Sequence, residues 1–117
     1  MNNRGKGLEG ENKAAEFLAT QGFSLITRNF RCIYGEIDII AMEQDTLVFI
    51  EVKAWSSFGI ENLEYAVNYQ KQQRIIKTAK FFLATHREYN GKALRFDIIF
   101  IGKHGIHHLA SAFMERV

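Results

Sequence analysis

The sequence predicts an α/β domain, a mixed central β-sheet flanked by α-helices, with the element order α-β-β-β-α-β-β. Three observations lead there. Two stretches, one near the N-terminus and one beyond residue 65, repeat apolar residues at helical spacing. Between them lie three runs rich in β-branched and aromatic residues, separated by short polar or glycine-containing breaks. Two further apolar runs close the chain. A strand meander, a helical crossover and more strands give a mixed sheet with helices packed on it.

The first helix is expected from about Gly7 to Gln21, with Gly22 as its C-terminal cap. Leu8, Ala15 and Leu18 fall on one face, with Ala14 and Phe17 beside them. Glu11 sits among these residues. It either joins a polar site or lies at the margin of the stripe near the helix N-terminus, where acids are favoured. The residues alone leave both readings open.

Phe23 to Arg31 reads as the first strand, and Ile33-Tyr34-Gly35 turns it into a hairpin of residues 36–42 and 47–54. Ser56 to Leu63 reads as a loop. A long helix follows, from Tyr65 or Asn68 to Arg87, with Ile75, Ile76, Ala79, Phe82 and Leu83 as its core stripe. Leu94 to Ile101 is a strand that places Arg95 and Asp97 on one face, and Gly105 to Leu109 a short edge strand. His104, His107 and His108 lack an adjacent acid and read as surface strand residues rather than a zinc cluster.

The hairpin carries the chemistry. Its two apolar strands contain Asp38, Glu51 and Lys53, charges that a core would not select. With the turn centred between Gln44 and Asp45, Asp38 falls opposite Glu51 and Glu36 opposite Lys53. Directly opposed residues hold their Cβ atoms about 4.5–5.5 Å apart, and two opposed carboxylates repel. A hard divalent cation, Mg²⁺ or Mn²⁺, removes that repulsion and suits an all-oxygen donor set. Lys53 lies one strand step beyond Glu51, within reach of a water or a phosphate oxygen. The same geometry also suits a Glu51–Lys53 ion pair on a solvated face with Asp38 in water.

At 117 residues the chain, 1–117, is one domain with a single core. It has no apolar run of the length a membrane span needs and no signal peptide, so a cytoplasmic location without membrane association is expected. The lone Cys32 cannot form an internal disulfide and reads as structural. A net charge of +2 is too mild to imply nucleic acid by itself, but the charges are segregated. Between Cys32 and Val52 there are five acids and no Lys or Arg; between Asn68 and Asn90 there are five bases and one acid. An acidic centre beside a basic helix fits a metal site next to a phosphate-binding surface, and equally an ordinary solvated helix face.

Asp38 followed by Glu51-Val52-Lys53 resembles the PD-(D/E)xK nuclease superfamily, which includes restriction endonucleases and Holliday-junction resolvases. More closely, the chain resembles the YraN-like family of small bacterial proteins. That resemblance is carried by Gly10-Glu11, Ala14-Ala15 and Leu18, Gly22-Phe23, Gly35-Glu36-Ile37-Asp38, Val48 to Lys53, Ala66-Val67 with Lys71, and Arg95-Phe96-Asp97. It implies a restriction endonuclease-like core. It further implies that Asp38, Glu51 and the Val52 carbonyl bind Mg²⁺ or Mn²⁺, that Lys53 orients water or stabilises the transition state, and that Glu11 is a first-helix acid of the site. Gln70 and Lys71 are then expected to face phosphates, and Arg74 and Lys77 to extend that basic face. Two positions depart from the pattern: Ile37 stands where the superfamily has proline, and Trp55 where the close family often has arginine. Trp55 reads as a surface-anchoring aromatic.

The expected activity is therefore divalent-metal-dependent endonucleolytic hydrolysis of DNA, including branched or structured DNA. The alternative is a nucleic-acid-binding module with this fold and little or no catalysis. A third is an interaction protein whose acidic site is only structural. Resolving a junction requires two sites, and hence a homodimer.

Overall fold

The computed structural model describes residues 3–54, 67–103 and 105–115, with side chains from residue 8 onward. Helix α1 (Asn3–Thr20) leads into β1 (Ser24–Cys32), β2 (Gly35–Glu43) and β3 (Thr46–Ala54). Helix α2 (Tyr69–Thr85) and a 3₁₀ turn (Arg87–Tyr89) precede β4 (Ala93–Gly102) and β5 (Gly105–Phe113). The five strands form one sheet in chain order, β1-β2-β3-β4-β5. The β3–β4 pair is parallel and the other pairs are antiparallel. This is the predicted α/β arrangement and element order, with α2 on the crossover that a parallel pair requires.

The helices cover opposite faces of the sheet. Ala14, Ala15 and Leu18 of α1 pack with Phe23, Ile39, Val48, Ile50 and Ile99. Ile75, Ile76, Ala79 and Phe82 of α2 pack with Ile37, Ile40, Phe49, Phe96 and Phe100. The alternation Val48, Phe49, Ile50 between the two layers follows from the two-residue period of a strand. Phe82 anchors the α2 layer: it is fully buried, edge-on to Phe30 and Phe49 and stacked on His86.

Several boundaries differ from expectation, for local reasons. Helix α1 starts at Asn3, ahead of the expected Gly7, and ends at Thr20, one residue before the expected Gln21, with Gly22 as the expected cap at φ 92°. Phe23 N–H donates to Leu18 O and Gly22 N–H to Ala19 O, so the turn satisfies carbonyls that the helix end would orphan. Phe23 thereby belongs to the cap rather than the strand. Leu8, placed on the apolar face from its spacing, is exposed; the buried stripe begins at Ala14. Helix α2 starts with Asn68 as N-cap, whose side chain accepts from Lys71 N–H. It stops at Thr85, before the predicted Arg87, because His86 leaves helical geometry and its Nδ1 reaches Phe82 O at 2.9 Å. Strand β5 runs on to Phe113, well past Leu109, through a bulge opposite Asp97. The Ser56–Leu63 loop, Trp55, the Tyr65 alternative for the helix start and His104 lie outside the described residues.

A candidate metal and phosphate site at the hairpin

The β2–β3 ladder pairs Ile39 with Ile50, Ile40 with Phe49 and Glu43 with Thr46. That is the predicted register, and extending it by one residue sets Asp38 against Glu51. Regular pairing stops there. Asp38 Oδ2 accepts the Val52 N–H at 2.7 Å, so a side chain takes the place of a ladder partner. Glu36 does not reach Lys53 as the extrapolated register suggested; it pairs with Arg31 on β1 at 3.2 Å.

The backbone around Asp38 is irregular in a way that builds the site. Ile37 packs in the α2 layer and Ile39 in the α1 layer, although strict alternation would put both on one face. On β1, Asn29 lies between the partners of Ile37 and Ile39 and takes a left-handed φ of 56°. The sheet is therefore wrenched at Asp38, and its carboxyl group comes within reach of groups from both layers.

Glu51 reaches the site from β3 and is buried, with 7% of its side chain exposed. Its Oε2 lies 2.6 Å from Lys71 Nζ and 3.5 Å from Lys53 Nζ. Asp38 and Glu51 face each other where the ladder ends, and each carboxyl acts on the other. Burial, Glu51 and the more remote Glu11 push the Asp38 carboxyl up to about 8, against the pull of the Val52 N–H. Two buried carboxyls cannot both ionise cheaply, so one retains a proton. Burial, then the neighbouring Lys71, lowers the Lys53 ammonium below its ordinary value, with Glu51 opposing. Burial would also lower Lys71, but its bond to Glu51 reverses the direction and holds it up.

These groups open onto a cavity of about 240 Å³ lined by Gly35, Glu36, Asp38 and Glu51 on one side and Lys71, Arg74 and Ile75 on the other. Gly35 allows α2 to come this close. Its φ is 153°, and a Cβ there would sit 3.3 Å from Thr78 Oγ1 and 3.7 Å from Arg74 Cβ. Another cavity, of about 270 Å³, lies over β4, β5 and the C-terminal half of α2 and is lined mainly by apolar groups.

Of the predicted residues, the structure brings together Asp38, Glu51, Lys53 and Lys71, with Arg74 on the cavity wall. Val52 meets Asp38 through its amide N–H. Gln70 and Lys77 are exposed and do not line the cavity. Glu11 contributes charge to Asp38 from the α1 side, and its Oε1 is 3.6 Å from Arg28 Nη2. That carboxylate oxygen and the Arg28 Nε and Nη2 are buried with no hydrogen-bond partner among the described residues.

No set of three His, Cys, Asp or Glu side chains among the described residues gathers into a metal site. The donors present are nevertheless hard carboxylate oxygens, with two acids adjacent and a third, Glu11, whose charge reaches Asp38. That donor chemistry fits Mg²⁺ or Mn²⁺, with Asp38 and Glu51 as the residues that would hold it.

A second polar cluster was only partly visible in the sequence, which put Arg95 and Asp97 on one face but left out Glu43, His108 and Ser111. Asp97, fully buried, accepts from Arg95 Nε and Nη2 at 2.9 Å each and from Ser111 N–H at 3.0 Å. Its Oδ2 is also 2.7 Å from His108 Nε2. Burial favours the neutral acid, but His108, Arg95 and the Ser111 amide outweigh it and hold the carboxyl below the usual range. Arg95 also bonds Glu43 at 2.8 Å. His108 is thus no surface residue: it packs against Phe17 and Phe23 and ties β5 to β4. The available signal was Asp97 itself, an acid inside the apolar run Phe96-Asp97-Ile98-Ile99.

Comparison with known proteins places this arrangement in a family. The model of "Uncharacterised protein family UPF0102" matches residues 10–101. The chain belongs to the UPF0102 family. It is 45% identical over 108 residues to a UPF0102 protein of Persephonella marina, covering 92% of each chain. It is 46% identical over 118 residues to one of Treponema pallidum subsp. pallidum, covering 95% of this chain and 94% of the other. A UPF0102 protein of Lachnoclostridium phytofermentans is 41% identical over 113 residues, covering 97% and 96%. This is the YraN-like family that the sequence motifs indicated. The family match spans Glu11, Glu36, Asp38, Glu51, Lys53, Lys71 and Arg74, so every charged residue that lines the cleft lies inside it. No helix of the described residues is long and apolar enough to cross a membrane.

Proposed function

We propose that this protein is a divalent-metal-dependent endonuclease that hydrolyses phosphodiester bonds in DNA, branched or structured DNA among the substrates to be tested. The observation that carries the proposal is the Asp38–Glu51 pair: two carboxyls pressed together in a cleft, beside two lysines, with Asp38 pushed up to about 8. A purely structural pair of buried acids is an expensive way to hold a sheet together. A bound Mg²⁺ or Mn²⁺ would neutralise developing charge on a phosphoryl oxygen and acidify an attacking water.

The chain's own residues divide the remaining work. Asp38, fixed by the Val52 N–H, and Glu51, reaching in from β3, supply the oxygen ligands. Lys53 reaches the same oxygen of Glu51 and is positioned to orient water and to stabilise charge on the phosphate. Arg74 forms the far wall of the cavity, where it meets a phosphate oxygen. Gln70 and Lys77, exposed on α2, extend the contact along the nucleic-acid backbone. Cleaving both strands of a junction calls for a homodimer that presents two such clefts.

The test is a panel of end-labelled linear, single-stranded, flapped and four-way-junction DNA, incubated with Mg²⁺, Mn²⁺ or chelator. The proposal expects metal-dependent cleavage, with the preferred substrate emerging from the panel. Salt-sensitive binding without cleavage would make the protein a binding module instead.

A further inference from the structure

Lys71 occupies the ground on which a cation would sit. Its Nζ is 2.6 Å from Glu51 Oε2, the same oxygen that Lys53 approaches at 3.5 Å. The backbone of Lys71 is fixed. Asn68 Oδ1 accepts its N–H at 2.9 Å in the first turn of α2, and the next residue, Gln72, bonds Asn68 O and Val67 O. Only the four-carbon side chain is free to swing. About a third of it is exposed, and Lys71 and Arg74 line the same cavity.

We propose that Lys71 is the resident counter-cation of Glu51, displaced when a divalent ion binds and then delivered to the substrate phosphate. The inference rests on the metal-dependent reading above. Charge makes the case. Metal binding displaces the proton that the two acids share, and Asp38 and Glu51, then both ionised, balance Lys53 and Lys71. A divalent ion entering this set leaves two positive charges in excess and cannot share Glu51 Oε2 with an ammonium at hydrogen-bond distance. Lys71 is the ammonium nearer that oxygen, and its stem can carry it across the cavity without moving α2. A phosphodiester then offsets part of the excess and gives the released ammonium a partner. Ion and phosphate each favour the binding of the other, as linkage requires. A merely structural ion pair predicts the reverse: loss of Lys71 would let Glu51 wander and weaken ion binding.

The test is titration of the full chain with Mn²⁺ alone, free ion being read from its paramagnetic resonance signal. Wild type would be compared with Lys71→Gln and Lys71→Arg, after melting curves show that all three fold. Removing the competing charge should tighten Mn²⁺ binding about tenfold in Lys71→Gln, a modest figure for a partly exposed ion pair. Lys71→Arg, which restores a cation, should bind no tighter than wild type. Equal or weaker binding by Lys71→Gln, with wild type still binding, overturns the displacement and leaves the proposed activity standing. If none of the three binds Mn²⁺, the metal-dependent reading fails and this inference falls with it.

Discussion

Replacing Asp38 by Asn should make the metal-free protein more stable at pH 8 while leaving it nearly unchanged at pH 5. The sign follows from linkage. Burial and Glu51 push the Asp38 carboxyl up to about 8 in the folded protein, against an ordinary value of 3.8. Between those values the folded state holds a proton that the unfolded state has lost, so stability falls as pH rises. The contribution is complete below the unfolded value and gone above the folded one. Carrying a carboxyl that far corresponds to on the order of 5 kcal/mol. The cleft is open to water, and its effective dielectric exceeds that of a dry interior, so about 2–3 kcal/mol is the figure to expect. Asn retains an oxygen for the Val52 N–H but has no charge to lose. Urea denaturation followed by circular dichroism in chelator, at pH 5, 6.5 and 8, measures the difference. Titrations elsewhere in the chain are common to both proteins and cancel. The pH 5–8 window covers about three-quarters of the interval, so wild type should lose about 2 kcal/mol more than Asp38→Asn across it. Equal slopes for the two proteins would refute the idea that Asp38 and Glu51 share a buried proton. Saturating Mn²⁺ should flatten the wild-type slope, because the ion replaces the proton.

Asp97→Ala strands Arg95 and the Ser111 amide in a buried network and should cost about 3–5 kcal/mol, read as a lower denaturation midpoint at unchanged m-value. Gly35→Val should lose about 1–3 kcal/mol, because its Cβ meets Thr78 at 3.3 Å in a backbone conformation unsuited to β-branched residues. A melting curve, with Gly22→Val as a comparison free of close neighbours, separates the packing part from the backbone part. Lys77→Ala, on the exposed side of α2, should leave stability unchanged and lower the salt-dependence slope of DNA binding by about 1.

How far the sequence reveals this site depends on the range of the forces involved. The hairpin register was readable because a four-residue polar break and a two-residue period leave little choice once both strands are recognised. The acid pair and Lys53 followed from that register. What lay beyond pairing arithmetic was the wrench at Asp38. The left-handed Asn29 and the switch of Ile37 between layers arise from packing against two helices distant in sequence. The predicted Glu36–Lys53 pairing was lost for that reason. Lys71 was placed near the site on resemblance, but its bond to Glu51 depends on where the first turn of α2 docks. Leu8 matched the period of its helix and is nonetheless exposed, since the buried stripe of α1 begins only at Ala14. His108 illustrates the opposite failure: a residue in a weakly patterned terminal segment proved to be half-buried because its Nε2 meets Asp97 and its ring packs on Phe17 and Phe23.

The most direct test of the central claim compares wild type with Glu51→Ala on one end-labelled branched DNA, in Mg²⁺ and in chelator. The account predicts cleavage by wild type in Mg²⁺ only, and none by a Glu51→Ala variant that still folds and still binds the DNA. Equal cleavage by both proteins, or cleavage that survives the chelator, would contradict it.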